Sequence, residues 1–208
     1  VEKEEKLGIA HDWQTKKHIK GMLYNITTMR FKSKQTGFIV VTERAPDYGE
    51  VKYANFGGRN RPWIIEQVDK PLEVFTQEEK EELIAKIAKN EIAKFVLLTP
   101  AIWEQGNKPK WLNEDNILRF PNGLSVEYLT SAIGRPILIG GWDLVRNRPK
   151  TRVHAVPAGS TLYFRVKRED AKKFVETTYL LNMSDRLQHE GYGLIVPGVA
   201  NLSNNKIF

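Results

Sequence analysis

The chain has 208 residues, 41% hydrophobic and 27% charged, the balance of a folded protein of one large or two small domains and not of a disordered one. Its 32 Lys and Arg against 25 Asp and Glu leave a formal charge of +7, which favours anionic partners. The absence of cysteine excludes disulfides, thiol nucleophiles and Cys-based zinc sites, and suits a cytoplasmic location.

The opening residues VEKEEK do not resemble a signal peptide, and no apolar run approaches the ~18 residues of a membrane span. The chain opens on Val1 rather than Met, and no strand or helix start is read around Leu7-Gly8-Ile9, so further residues are expected upstream. Residues 21–31 (GMLYNITTMRF) and 36–43 (TGFIVVTE) are rich in β-branched and aromatic side chains, and they predict two paired antiparallel strands. Gly57-Gly58-Arg59-Asn60-Arg61-Pro62 signals a loop, followed by a strand over residues 63–68.

Thr76-Gln77-Glu78-Glu79 has capping-box spacing and predicts a helix to Ala93, with Leu83, Ile84, Ile87, Ala88 and Ile92 on its inner face. Residues 95–99, an apolar run stopped by Pro100, predict a buried strand. A loop over 104–123 and a helix over 125–133 are expected next. Strands are then expected at 136–141 and 160–166, a helix at 169–181 and a last strand at 191–196. Strand, helix, strand, strand, helix, strand is the ferredoxin-like, split βαβ order, an α+β fold.

In Arg146-Asn147-Arg148-Pro149-Lys150-Thr151-Arg152-Val153-His154 a basic residue occupies every second position. In an extended chain these side chains point to one side at ~6.6 Å spacing, a row that can follow a phosphodiester backbone. The alternative is an exposed strand edge protected by Pro149 and positive charge. Gly191-Tyr192-Gly193 offers a second candidate: glycine admits a phosphate close to the backbone and Tyr192 stacks on a base. The competing explanation is a tight turn between the last helix and strand. Arg59 and Arg61 after the glycine pair offer phosphate contacts, whereas Trp63, Trp103, Trp111 and Trp142 are assigned to packing. His11, His18, His154 and His189 lack metal-ligand spacing, and no catalytic partner accompanies His154 or His11 as a general base. Ser160 does not sit in a nucleophile elbow. Binding without catalysis and without a cofactor is therefore expected.

Leu7-Gly8-Ile9, Gly21-Met22-Leu23-Tyr24, Gly57-Gly58, Leu98-Thr99-Pro100-Ala101, Gly141-Trp142-Asp143, Pro149-Lys150, Ala155-Val156-Pro157-Ala158-Gly159-Ser160 and Gly191-Tyr192-Gly193 occur in this order. Taken together over almost the full chain, they resemble the family of third subunits of the type III-B CRISPR Cmr complex, in the RAMP superfamily. The resemblance implies two ferredoxin-like, RRM-related modules: residues 1–75 as the remainder of an incomplete first module, and residues 76–208 as a second with the glycine-rich loop. It also implies a non-catalytic subunit that grips the 5′ repeat-derived tag of the guide RNA, beside the backbone RAMP subunit and the large polymerase-like subunit. Because some RAMP relatives process CRISPR RNA, the alternative is a metal-independent endoribonuclease.

Overall fold

A computed structural model describes residues 2–33, 36–42, 49–55, 62–68 and 72–200. The chain divides into two compact units, Val1–Leu72 and Glu73–Phe208.

In the first unit, β1 (Glu2–His11) and β2 (His18–Arg30) pair as one long antiparallel hairpin, from Glu2 opposite Arg30 to Ile9 opposite Leu23. An irregularity that includes the positive-φ Gly21 then resets the register and brings His11 opposite His18. Tyr24 lies across Gly8, where a Cβ would stand 2.4 Å from the ring. A larger residue at position 8 would displace that ring. The partner of residues 21–31 is thus β1, which sequence reading left unassigned, and residues 36–42 form no strand. Phe38 instead packs near Phe31 and Trp63, with ring centroids 5.1 and 5.7 Å away. β3 (Tyr53–Asn55) pairs with β4 (Pro62–Ile64), so the strand expected over 63–68 is shorter and starts one residue earlier.

The second unit begins with the capping box. The Thr76 hydroxyl accepts from the Glu79 amide at 3.2 Å, and the Glu79 carboxylate accepts from the Thr76 amide at 2.8 Å, satisfying two donors that a helix start leaves open. α1 (Gln77–Asn90) follows and ends at left-handed Glu91, whose amide returns to the Ile87 carbonyl. Ala93 and Ile92, expected at the helix end, already belong to β5 (Ile92–Leu97).

β5 alternates cleanly. Ala93, Phe95 and Leu97 are buried, whereas Ile92, Lys94 and Val96 on the opposite face are only partly covered, the period-2 pattern of a sheet with one packed face. The remaining strands of the sheet are β6 (Ile117–Arg119), β7 (Ser125–Ala132), β12 (Thr161–Arg165) and β13 (Ile195–Val199), in the antiparallel order β13-β5-β12-β7-β6. Residues 125–132 are therefore a strand, not the helix expected over 125–133. They pair with β6 on one side and β12 on the other, and this ladder overrides a weak local preference.

α2 (Ala171–Thr178), shorter than the expected 169–181, buries Ala171, Phe174, Val175 and Thr178. Phe164 stacks 5.1 Å from Phe95 and lies 6.2 Å from Phe174, so the core joins the two central strands to the helix. Full burial of each phenyl ring contributes about 3 kcal/mol by area removed from water. β13 is an edge strand, with β5 as its one strand neighbour among the described residues, which is why it accommodates Pro197, a residue with no N–H to donate. The last strand thus starts at Ile195 rather than at Gly191. The expected strands at 63–68 and 136–141 lie outside this sheet.

Candidate nucleic-acid interface

Between β7 and β12 the chain leaves the sheet as a second hairpin. β8 (Ile137–Ile139) pairs with β11 (Val153–Ala155), and β9 (Trp142–Asp143) pairs with β10 (Arg148–Pro149). Asp143 organises the turn: its Oδ1 accepts from the Val145 amide at 3.1 Å and the Arg146 amide at 3.0 Å. The Arg146 Nε lies 4.0 Å from the same carboxylate, and Asn147 adopts a left-handed φ of 47°. Asn tolerates that conformation better than most residues. At the tip Leu144 is 87% and Val145 96% exposed.

Arg146, Arg148, Lys150 and Arg152 are all exposed, as is His154. Within residues 137–155 the only acid is Asp143, so the hairpin is strongly cationic. Its basic side chains do not form one row, however. Ile139 pairs with Val153, whereas Trp142 pairs with Pro149, so the returning strand carries one more residue than the outgoing one. That extra residue is a bulge, which shifts everything beyond it to the other face. The glycines confirm the shift: a Cβ on Gly141 would meet the Lys150 stem at 3.7 Å, and one on Gly140 would meet the Arg152 stem at 3.2 Å. Neighbouring strand residues face opposite sides. Lys150 and Arg148 therefore occupy one face, and Arg152 and His154 the other.

His154 stands exposed opposite Leu138. Trp142, assigned to packing from sequence, is half exposed beside the turn. Trp103 and Trp111 do pack: the Trp103 ring N–H donates to the Met183 carbonyl at 2.8 Å, and Trp111 lies 6.2 Å from Phe120. Ser160 is buried, and its hydroxyl accepts from the Gly134 amide at 3.3 Å.

The Gly191-Tyr192-Gly193 segment is a tight turn. Gly191 and Gly193 have φ of 83° and 84°, conformations that cost other residues energy. The Gly191 amide donates to the Gln188 carbonyl at 2.9 Å, and the Gly193 amide to the Pro100 carbonyl at 2.8 Å. Thr99 fastens the turn to β5: its hydroxyl donates to the Gly191 carbonyl at 2.7 Å and accepts from the Leu194 amide at 2.9 Å. Gly193 leaves no room for a side chain, since a Cβ would stand 2.2 Å from the Ser184 amide nitrogen. Both glycine amides thus serve the fold, and Tyr192 is half-buried. Arg59 and Arg61 lie outside the described residues. Among the described residues no cluster of His, Asp or Glu has the arrangement of a metal site, and no helix is long and apolar enough to cross a membrane.

A model of the CRISPR-associated protein family Cas_Cmr3 matches residues 1–200. The chain belongs to the Cas_Cmr3 family. The family expected from the ordered short motifs is the one found. Two solved chains are similar in structure, both from cryo-EM structures of a type III-B Cmr-beta complex bound to cognate target RNA, one of them also with AMPPnP. The first is 18% identical, with a TM-score of 0.45, covering 78% of this Cas_Cmr3 chain and 44% of its own length. The second is 17% identical, with a TM-score of 0.47, covering 91% of this chain and 52% of its own length. The chain thus spans about half the length of these Cmr chains. No curated protein matches it.

Proposed function

We propose that this chain is a non-catalytic RNA-binding and assembly subunit of a cytoplasmic type III-B CRISPR effector complex. It holds the 5′ repeat-derived tag of the guide RNA and docks the backbone RAMP subunit and the large polymerase-like subunit. Membership of the Cas_Cmr3 family supports the complex. The observation that carries RNA binding is the hairpin of residues 137–155, which projects Arg146, Arg148, Lys150 and Arg152 into solvent with one acid among them. Surface cations of this kind gain by neutralising phosphates and releasing counterions, and a core-forming hairpin would not expose them together. Residues 1–75 are read as the remainder of a first ferredoxin-like module and 76–208 as the second. β5, β7, β12, α2 and β13 supply most of the second module's split βαβ order. Where its first crossover helix would lie, residues 98–124 carry β6.

The alternative of a metal-independent endoribonuclease gains little from His154, which is exposed and faces Leu138 across the hairpin; a general base needs a reacting proton and an orienting partner within reach. The test uses tagged guide RNA carrying 4-thiouridine in the tag, irradiated with the chain in the presence of a chelator. Crosslinks to residues 142–154 and intact RNA are expected. Discrete cleavage products would establish the nuclease, and crosslinks absent from this chain would refute RNA holding.

A further inference from the structure

The turn that joins β1 to β2 is built as firmly as the one at Asp143. The Asp12 carboxylate accepts from the Thr15 amide at 2.7 Å, the Thr15 hydroxyl at 2.9 Å and the Gln14 amide at 3.0 Å. The Asp12 amide donates to the Lys17 carbonyl at 2.8 Å, and the Lys16 amide returns to the Asp12 carbonyl at 2.9 Å. The Thr15 amide, then its hydroxyl, hold the Asp12 carboxyl below its ordinary range, so the brace stays ionised at neutral pH. It is the one acid within residues 11–20, against three lysines.

What the brace presents is Trp13, 76% exposed. An indole left in water at the head of an ordered turn forgoes one of the largest burial gains a side chain can make. The same turn and the start of β2 carry Lys16, Lys17 and Lys20, all exposed and all without an ion pair among the described residues, with His11 opposite His18 at the base of the turn. A flat aromatic surface among unpaired cations is the chemistry that receives an unpaired base and its flanking phosphates. An apolar protein partner would be met by lysines left uncompensated at the contact. The surface is complementary in charge to RNA.

We propose that the β1–β2 turn is a second RNA contact of this chain, at which Trp13 stacks on one unpaired nucleobase while Lys16, Lys17 and Lys20 neutralise the adjoining phosphates. The inference rests on the chain being an RNA-binding protein. It adds a site that requires single-stranded RNA, because a base held in a duplex does not offer its face.

The experiment measures the affinity of the whole chain for a fluorescein-labelled, unstructured 12-nucleotide RNA and for the same RNA annealed to its complement. Trp13→Ala is expected to weaken single-strand binding roughly tenfold and to leave duplex binding within about twofold, whereas Trp13→Phe keeps most of the affinity. Trp13 is exposed, so neither variant disturbs a packed core, and the Phe variant controls for folding. Unchanged single-strand affinity in Trp13→Ala, with Arg148→Ala/Lys150→Ala still weakened, overturns the Trp13 site and leaves RNA holding intact. No measurable binding by the unaltered chain overturns RNA holding itself. Unchanged RNA affinity in Trp13→Ala with loss of co-purifying Cmr subunits assigns the turn to a protein contact and also overturns the proposal.

Discussion

The five-stranded sheet of the second unit and the hairpin of residues 137–155 are both antiparallel β-structure, yet their side chains are governed differently. In the sheet every second residue of β5 and β12 is buried under α1 and α2, and the identity of those residues is set by packing. In the hairpin residues 140–152 are exposed on both faces apart from Asp143, so packing sets almost nothing there. Exposed hairpin residues are free to serve a partner, and this one carries cations.

The largest effect that separates the two regions is on stability. Phe164→Ala, which removes a ring packed between Phe95 and Phe174, is expected to cost about 3–5 kcal/mol in urea unfolding. Val145→Ser at the hairpin tip is expected to change it by less than about 0.5 kcal/mol. A cost above about 2 kcal/mol for Val145→Ser would mean that the tip packs against something within this chain.

A smaller contrast lies inside the Gly191-Tyr192-Gly193 turn. Gly193→Ala meets both a positive φ and the Ser184 amide, and is expected to cost about 3 kcal/mol. Gly191→Ala meets a positive φ but open space, and is expected to cost about 1 kcal/mol. Both glycines would then act through the fold. If Gly191→Ala leaves unfolding unchanged but abolishes binding of tagged guide RNA, the turn contacts RNA after all.

Legibility followed the same division. The apolar run of β5 and the inner face of α2 are readable because burial leaves its mark on each, and the Thr76 capping box because the open backbone donors of a helix start fix its spacing. Residues 125–132 were misread, since Val126 is their sole fully buried residue and their strand character comes from neighbours on both sides. β1 went unread because charged residues fill much of it and no core face shows in its pattern. The basic alternation at 146–152 was visible, but the extra residue that splits it between two faces leaves no mark in composition. Trp13 is illegible for a related reason: a lone tryptophan reads as a packing residue, and its exposure shows only in the structure.

RNA holding by the 137–155 hairpin is tested most directly by the affinity of the chain for tagged guide RNA across a salt series. Each phosphate contact on a single strand contributes a slope of about −0.7 in log affinity against log salt. Arg148→Ala/Lys150→Ala, two changes on one face of the hairpin, are expected to flatten that slope by up to twice this amount. Lys86→Ala/Lys89→Ala on α1 remove the same charge and are expected to leave it nearly unchanged, because exposed charges beyond a Debye length of ~8 Å are screened. Equal slopes for the two double variants would contradict the account.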